Sequence, residues 1–332
     1  MSVIASSPIA VTEFDALMPH NSAPISQQTN TAFFSGAGIS LVRKASAALC
    51  KLAPNAAVAI AHKLIATPPR HEPRSWERAL LQTAERFDVT VSKRRIPVAA
   101  WGQGPTVLLV HSWGGRGTQM GRLTAALAAA GYRAVSFDLP AHGEAGKGET
   151  DMVECAAAVA AVVNSTGPLH GVLAHSFGVM ASLLAAREHG VNLPRLVSIG
   201  AFEHCRWFMD AAREHLNLTE AVAQRIRDRF EARHGHRVTW DQLSVVELLR
   251  AARCATLVIH DRFDREVPYS HSHALRTVGT HVEASPTVGL GHRRTLSDAG
   301  VIAASVAYFN RAESCRVCSL CPPIDGIHIH PL

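Results

Sequence analysis

The run Gly171-Val172-Leu173-Ala174-His175-Ser176-Phe177-Gly178-Val179-Met180 carries a hydroxyl where an apolar stretch gives way to a helical pattern. That is the layout of a nucleophile elbow: a strand, a tight turn and a helix, with the serine at the apex. Side chains two places either side of the serine would collide across so sharp a turn, so small residues are needed there. The usual form is Gly-x-Ser-x-Gly; here the two positions are Ala174 and Gly178. The competing reading is a serine N-cap on an ordinary helix. A serine hydroxyl is too weakly acidic to attack a carbonyl unaided. It needs an imidazole within hydrogen-bond reach, and the imidazole needs a carboxylate to orient it. If those partners exist, the chemistry is acyl transfer.

Candidates for both partners follow in the chain, in the order Ser, Asp, His. An apolar run at 255–259 ends in His260-Asp261-Arg262-Phe263-Asp264-Arg265-Glu266-Val267-Pro268. Asp264 is the favoured acid, because Asp-x-x-Val-Pro places it in a loop just before a new helix. Asp261, directly at the strand end, is the alternative. The other roles open to both are loop capping and surface pairing with Arg262 or Arg265. After the last apolar run comes Gly289-Leu290-Gly291-His292-Arg293-Arg294, which sets His292 between flexible glycines and a helix. A tetrahedral intermediate also needs two fixed N–H donors for its oxyanion. Phe177, which follows the serine, supplies one. Trp113, in His111-Ser112-Trp113-Gly114-Gly115, is assigned the other. The same glycine-rich turn could instead open a phosphate cradle, but it lacks Gly-x-Gly-x-x-Gly spacing and an acidic ribose contact. Trp113, Trp207, Phe208 and Met209 are candidates to line an apolar acyl pocket, or else simply to pack in a core.

The elements that must position these groups alternate. Short apolar runs are expected as strands at 89–91, 96–101, Thr106–Val110, 134–137, the segment before Ser176, 196–199, 255–259 and 282–288. Helical patterns lie between most of them: at 120–130, at 152–163, after the elbow to about His189, from about Tyr269, and at 296–309. Strand alternating with helix means a mostly parallel sheet covered on both faces. Residues 202–252 are helix-rich and interrupt the alternation, as a helical lid above the strand ends would.

Upstream, residues 1–31 are rich in Ser, Thr, Asn, Gln and Pro and read as disordered. Residues 39–66 are helical, broken by Pro54, and a further helix is expected at 75–87. The 39–66 stretch mixes apolar residues with Arg43, Lys44, Lys51 and Lys63. It reads as a helical hairpin packed on the catalytic domain; the alternative is a basic amphipathic segment on a membrane surface. The division expected is therefore an N-terminal segment and helical extension (1–88), a catalytic domain (89–312, lid 202–252) and a tail (313–332). In the tail, Cys315, Cys318, Cys321, His328 and His330 are soft-metal ligand types, but their spacing fits no zinc template. A loose tail is expected instead, with no metal and no cofactor.

The chain has 332 residues, 47% of them hydrophobic, enough for one large core with appendages. Its net charge of +6 is spread out, with no long basic run interleaved with aromatics, which argues against nucleic-acid binding. Seven cysteines, an odd number, without a secretory leader pattern point to a reducing, cytoplasmic setting.

Taken together, residues 111–115, Asp138-x-Pro140-x-His142-Gly143, the Ser176 elbow, Asp264-x-x-Val267-Pro268 and Gly291-His292 resemble the α/β-hydrolase superfamily over about 89–310. The chain looks most like bacterial esterase- or lipase-like members with an N-terminal helical extension. The resemblance implies an eight-strand-type sheet, a Ser176–His292–Asp264 triad, a helical lid and a serine carboxylic-ester hydrolase acting on small-molecule, short- to medium-chain acyl esters. Lactone, amide or thioester hydrolysis on the same triad, perhydrolysis, and a non-catalytic binding protein are the alternatives. Two departures from the family pattern stand out: Ala174 for the first elbow glycine, and Ser112 for the glycine after the oxyanion histidine.

Overall fold

The computed structural model describes residues 39–311; the expected disordered leader and the Cys/His tail lie outside them. Eight strands form one sheet: β1 (Glu85–Val91), β2 (Arg94–Trp101), β3 (Thr106–Val110), β4 (Arg133–Phe137), β5 (Leu169–His175), β6 (Arg195–Ile199), β7 (Ala255–Asp261) and β8 (Val282–Thr287). Their order across the sheet is β1-β2-β4-β3-β5-β6-β7-β8. From β4 to β8 every neighbour is parallel, while β1 and β2 join antiparallel at one edge.

The central strands are apolar throughout because both faces are covered. Alternate residues go to opposite sides. On β3, Val107 and Leu109 join the cluster holding Leu123, Leu127, Val301 and Phe309, from α4 (Gly121–Ala129) and α12 (Ala299–Asn310). Leu108 and Val110 join the opposite cluster with Cys155, Val159, Met180 and Leu184, from α5 (Met152–Thr166) and α6 (Phe177–His189). Asp151 starts α5 by accepting hydrogen bonds from the N–H groups of Val153 and Glu154, both at 3.0 Å.

Between β6 and β7 the chain forms α7 (Cys205–Leu216), α8 (Glu220–Arg233) and α9 (Val245–Ala252), tied at their base by a bridge between His204 and Ser244. The upstream hairpin, α1 (Ile39–Leu52) and α2 (Pro54–Ala66), packs against this insertion. Arg43 donates to the carbonyl of Glu214 at 2.9 Å, and Arg225 donates to Asn55 Oδ1 at 2.6 Å. Ala57, Val58 and Ala61 are buried in the main core. Two short helices, α10 (Ser270–Arg276) and α11 (Gly291–Arg294), follow β7 and β8.

Two boundaries differ from expectation. The helix expected at 75–87 is α3 (Ser75–Gln82) and stops early; Glu85, Arg86 and Phe87 pair with Ala100, Ala99 and Val98. Cross-strand pairing, reinforced by Arg95 on Asp88 at 2.8 Å, overrides a helical pattern at this edge. The last helix begins at Ala299 because Asp298 accepts from the Val301 N–H at 3.0 Å and so sets its N-cap.

Candidate active site

Ser176 stands between the last residue of β5 and the first of α6, with φ 53° and ψ −116°. A non-glycine residue in this region costs about 1–3 kcal/mol and persists only where its surroundings enforce it. Here the Ser176 N–H donates to the Ile199 carbonyl at 2.8 Å, and the Ser176 carbonyl accepts from Val179 N–H at 3.0 Å. The serine hydroxyl makes no capping bond to the helix it precedes, which removes the N-cap reading. Gly178 is required by contact: a Cβ there would lie 2.4 Å from the Val110 carbonyl oxygen and 2.7 Å from that of His111. Ala174 is different. It sits within regular β5, level with Val110 and Ser198 on its neighbours, so a methyl is accommodated where glycine is usual.

The two candidate acids separate cleanly. Asp264 Oδ2 lies 2.7 Å from His292 Nδ1 and 3.4 Å from His260 Nε2, while Oδ1 accepts from the N–H groups of Glu266 and Val267 at 2.8 and 2.9 Å. Burial alone pushes this carboxyl up, but the hydrogen bonds from His260 and His292 outweigh it and hold the group well below the usual carboxylate range. It is therefore ionised, and His292 presents Nδ1–H to it. The other ring nitrogen, Nε2, is buried and has no hydrogen-bond partner among the described residues.

Asp261 does other work. Its Oδ2 accepts from Thr287 Oγ1 at 2.8 Å and from Leu290 N–H at 2.9 Å; its Oδ1 accepts from Phe263 N–H at 2.9 Å. It joins the loop after β7 to the loop after β8, two residues before His292.

The structure brings His292 to the serine's end of the sheet. Its ring centroid is 4.6 Å from that of His175, the residue before Ser176, and His175 Nε2 lies 3.1 Å from the His292 carbonyl. The ring also borders Gly200, where a Cβ would meet it at 3.1 Å. Gly200 follows Ile199, the residue that anchors the Ser176 N–H. Burial, then the nearby His292, lowers the His175 pKa far enough to keep that ring neutral.

Trp113 occupies a turn closed by Gly115 N–H on the Ser112 carbonyl at 2.9 Å, with Gly114 at φ 68°. His111 secures this loop. Its Nδ1 lies 2.7 Å from the Ser112 carbonyl, and its Nε2 accepts from Leu139 N–H at 2.9 Å, strapping the β3 exit to the β4 exit. Phe177 is the first residue of α6, so its N–H has no partner within the helix.

Of the candidate pocket residues, Trp113 and Phe208 come together, with ring centroids 6.1 Å apart, and Phe177 lies 5.1 Å from Trp113. Met209 is buried in the same apolar cluster. Trp207 turns away, stacking on Phe202 at 6.0 Å and meeting His271 edge-on at 5.5 Å. His271 lies on α10, just past the loop that holds Asp264.

Comparison with known proteins agrees with this architecture. A family model described as the alpha/beta hydrolase fold matches residues 105–235. The fold is that of the α/β-hydrolases. Among solved structures, the esterase RhEst1 from Rhodococcus sp. ECU1013 aligns at TM-score 0.53 and 21% identity over 68% of this chain and 98% of its own. A thermophilic esterase from Thermogutta terrifontis aligns at 0.51 and 19% over the same shares. A membrane phospholipase A described as a bacterial virulence factor aligns at 0.52 and 17%, over 81% of this chain and 97% of its own. At these identities the likeness is one of α/β-hydrolase fold. No curated protein matches the chain by sequence.

Sequence reasoning gave His260 and His175 no role and used His142 only as part of the Asp138–Gly143 motif. His260 and His175 each lie next to a residue it did single out, but in a chain with 19 histidines adjacency alone is a weak signal. His142 packs edge-on against Trp113 and against His111, with centroids 5.2 and 5.1 Å away. Among the described residues, no group of His, Cys, Asp and Glu has the arrangement of a metal site, and no helix is long and apolar enough to cross a membrane.

Proposed function

We propose that the protein hydrolyses short- to medium-chain carboxylic esters of small molecules through an acyl-enzyme on Ser176. The observation that carries this reading is the buried Asp264–His292 pair at 2.7 Å, with an unpartnered Nε2 at the end of the sheet where the strained Ser176 stands. An ionised Asp264 fixes the imidazole tautomer so that Nε2 is the basic nitrogen. His292 then takes the Ser176 proton as the hydroxyl oxygen attacks the ester carbonyl. The N–H groups of Trp113 and Phe177 receive the oxyanion. His292 returns the proton to the departing alcohol, and water activated by the same nitrogen cleaves the acyl-enzyme. Trp113, Phe177 and Phe208 supply an aromatic wall for the acyl chain.

A p-nitrophenyl acyl ester series of increasing chain length tests the proposal. Wild type is expected to hydrolyse the shorter members, and Ser176→Ala to lose at least about 10³-fold in kcat/KM. A fluorophosphonate should label the wild type at Ser176 and nowhere in the variant. Equal turnover by the two proteins overturns the reading. A panel of lactones and thioesters on the same variant pair distinguishes an ester preference from the other acyl substrates a serine nucleophile can take.

A further inference from the structure

A helix packed on a protein core ordinarily turns its apolar stripe inward and a polar face to water. α2 does not. Its inward face, Ala57, Val58 and Ala61, is buried in the core. Its outward face carries Ala56, Ala59, Ile60 and Leu64, all exposed, with Lys63 among them. Ile60 is 52% exposed and Leu64 48%, one helical turn apart on the same row. Leu52, at the end of α1, is 84% exposed. These three are the larger share of the exposed large apolar side chains among the described residues; the other two, Phe263 and Val288, lie on the loops after β7 and β8.

Within the hairpin's own sequence the charge has one sign. From residue 16 to residue 71 the chain contains no Asp or Glu, while Arg43, Lys44, Lys51, Lys63 and Arg70 all fall within it. Arg43 is spent on the carbonyls of Glu214 and His215, and Arg70 on those of Gly143 and Gly146. Lys44, Lys51 and Lys63 are exposed and form no ion pair among the described residues. The carboxylate that α2 does meet, Glu149, faces the half-buried His62 on its flank at 3.7 Å. An apolar row that holds Lys63, next to a helix exposing Lys44 and Lys51, fits an interface with hydrocarbon inside and negative charge at its rim.

We propose that the α1–α2 hairpin docks the protein on an anionic lipid surface, with Leu52, Ile60 and Leu64 inserted at the acyl boundary and Lys44, Lys51 and Lys63 against the phosphates. The α2 helix, 13 residues long, lies along the surface and does not cross it. This docking is independent of whether Ser176 turns over esters.

The test is co-sedimentation of the full chain with vesicles of phosphatidylcholine containing phosphatidylglycerol, and with vesicles of phosphatidylcholine alone. Wild type should pellet with the former, much less with the latter, and be released by salt. The double variant Ile60→Ser/Leu64→Ser should bind at least about tenfold more weakly. The charge variant Lys51→Glu/Lys63→Glu should also lose affinity, by more than the roughly fivefold expected for one lysine. All four side chains are exposed, so circular dichroism melts should match wild type. Failure of the wild type to bind, or binding as strong as wild type by both double variants, overturns the proposal. So does loss of binding in Phe263→Ser with retention in Ile60→Ser/Leu64→Ser, which moves the docking face to the acid loop. A wild-type dimer that Ile60→Ser/Leu64→Ser converts to monomer without any lipid binding assigns the stripe to a second copy and overturns it as well.

Discussion

Two aspartates three residues apart divide one task. Asp264 faces the imidazole and sets its tautomer; Asp261 holds the imidazole's loop against its own. The division gives opposite expectations for the same substitution. Asp264→Asn keeps the side-chain shape but cannot favour Nδ1–H on His292, so kcat on a p-nitrophenyl ester should fall on the order of 10³–10⁴-fold. Asp261→Asn leaves the Asp264–His292 bond in place but weakens a charge-assisted clamp, so it should cost roughly 1.5–3 kcal/mol of stability and lower kcat far less than the first variant. Kinetics and thermal melts on the two proteins, side by side, separate the roles. A larger rate loss in Asp261→Asn would mean that the acid has been assigned to the wrong residue. The sequence favoured Asp264 but kept Asp261 as the alternative, because both residues sit close together after one strand; the reach of His292 across from β8 distinguishes them.

At the scale of elements, the elbow is where β3, β5 and α6 meet, and Gly178 is the point of closest approach. Gly178→Ala drives a methyl against two backbone carbonyls that cannot swing aside. The strand and helix must separate, and about 1–3 kcal/mol of destabilisation is expected, together with a loss of the proposed ester hydrolysis because the Phe177 N–H moves with the helix. Ala174→Gly should be mild by comparison, since it removes one buried methyl from regular strand. Chemical denaturation of both variants checks the ordering; a Gly178→Ala protein as stable as wild type would contradict the packing described.

The elements most legible in the sequence were those with the simplest environment. β3 is apolar on both faces, so its five residues, Thr106–Val110, could be read without knowing its neighbours. β1 is an edge strand with alternating exposure, and its first residues carry the same mixed pattern as the end of a surface helix. The insertion was legible as helix, but not which of its aromatics would face Trp113: Trp207 and Phe208 are adjacent in sequence and point to different neighbours. Ser176 itself is only 2% exposed.

For the whole molecule, the sheet gathers buried imidazoles at the carboxyl ends of its strands, and that makes stability depend on acidity in a specific window. Burial lowers the His111 pKa from 6.5 to about 4 and that of His142 to about 3, and with His292 nearby it lowers His175 as well. A histidine whose pKa is lowered by folding binds its proton more readily in the unfolded chain. Its contribution is therefore complete above pH 6.5 and is lost as pH falls from there toward the folded value. Within that window each such group should reduce stability by up to about 1.4 kcal/mol per pH unit. Asp264 adds to the loss only below about pH 4, since its folded pKa is also depressed and an unfolded aspartate titrates near that value. The melting temperature should thus decline steadily from pH 6.5 to 4, well before carboxylates titrate. Because the histidines are buried, added salt should barely change the slope. Differential scanning calorimetry across this range, combined with proton uptake on unfolding at pH 5.5, reads the effect directly. Uptake of at least about two to three protons, the share of these three histidines, with His62, His204 and His271, also lowered by burial, adding to it, agrees with rings held neutral in the fold; a melting temperature that stays flat down to pH 4.5 would mean that these imidazoles reach solvent and protonate without unfolding that end of the sheet.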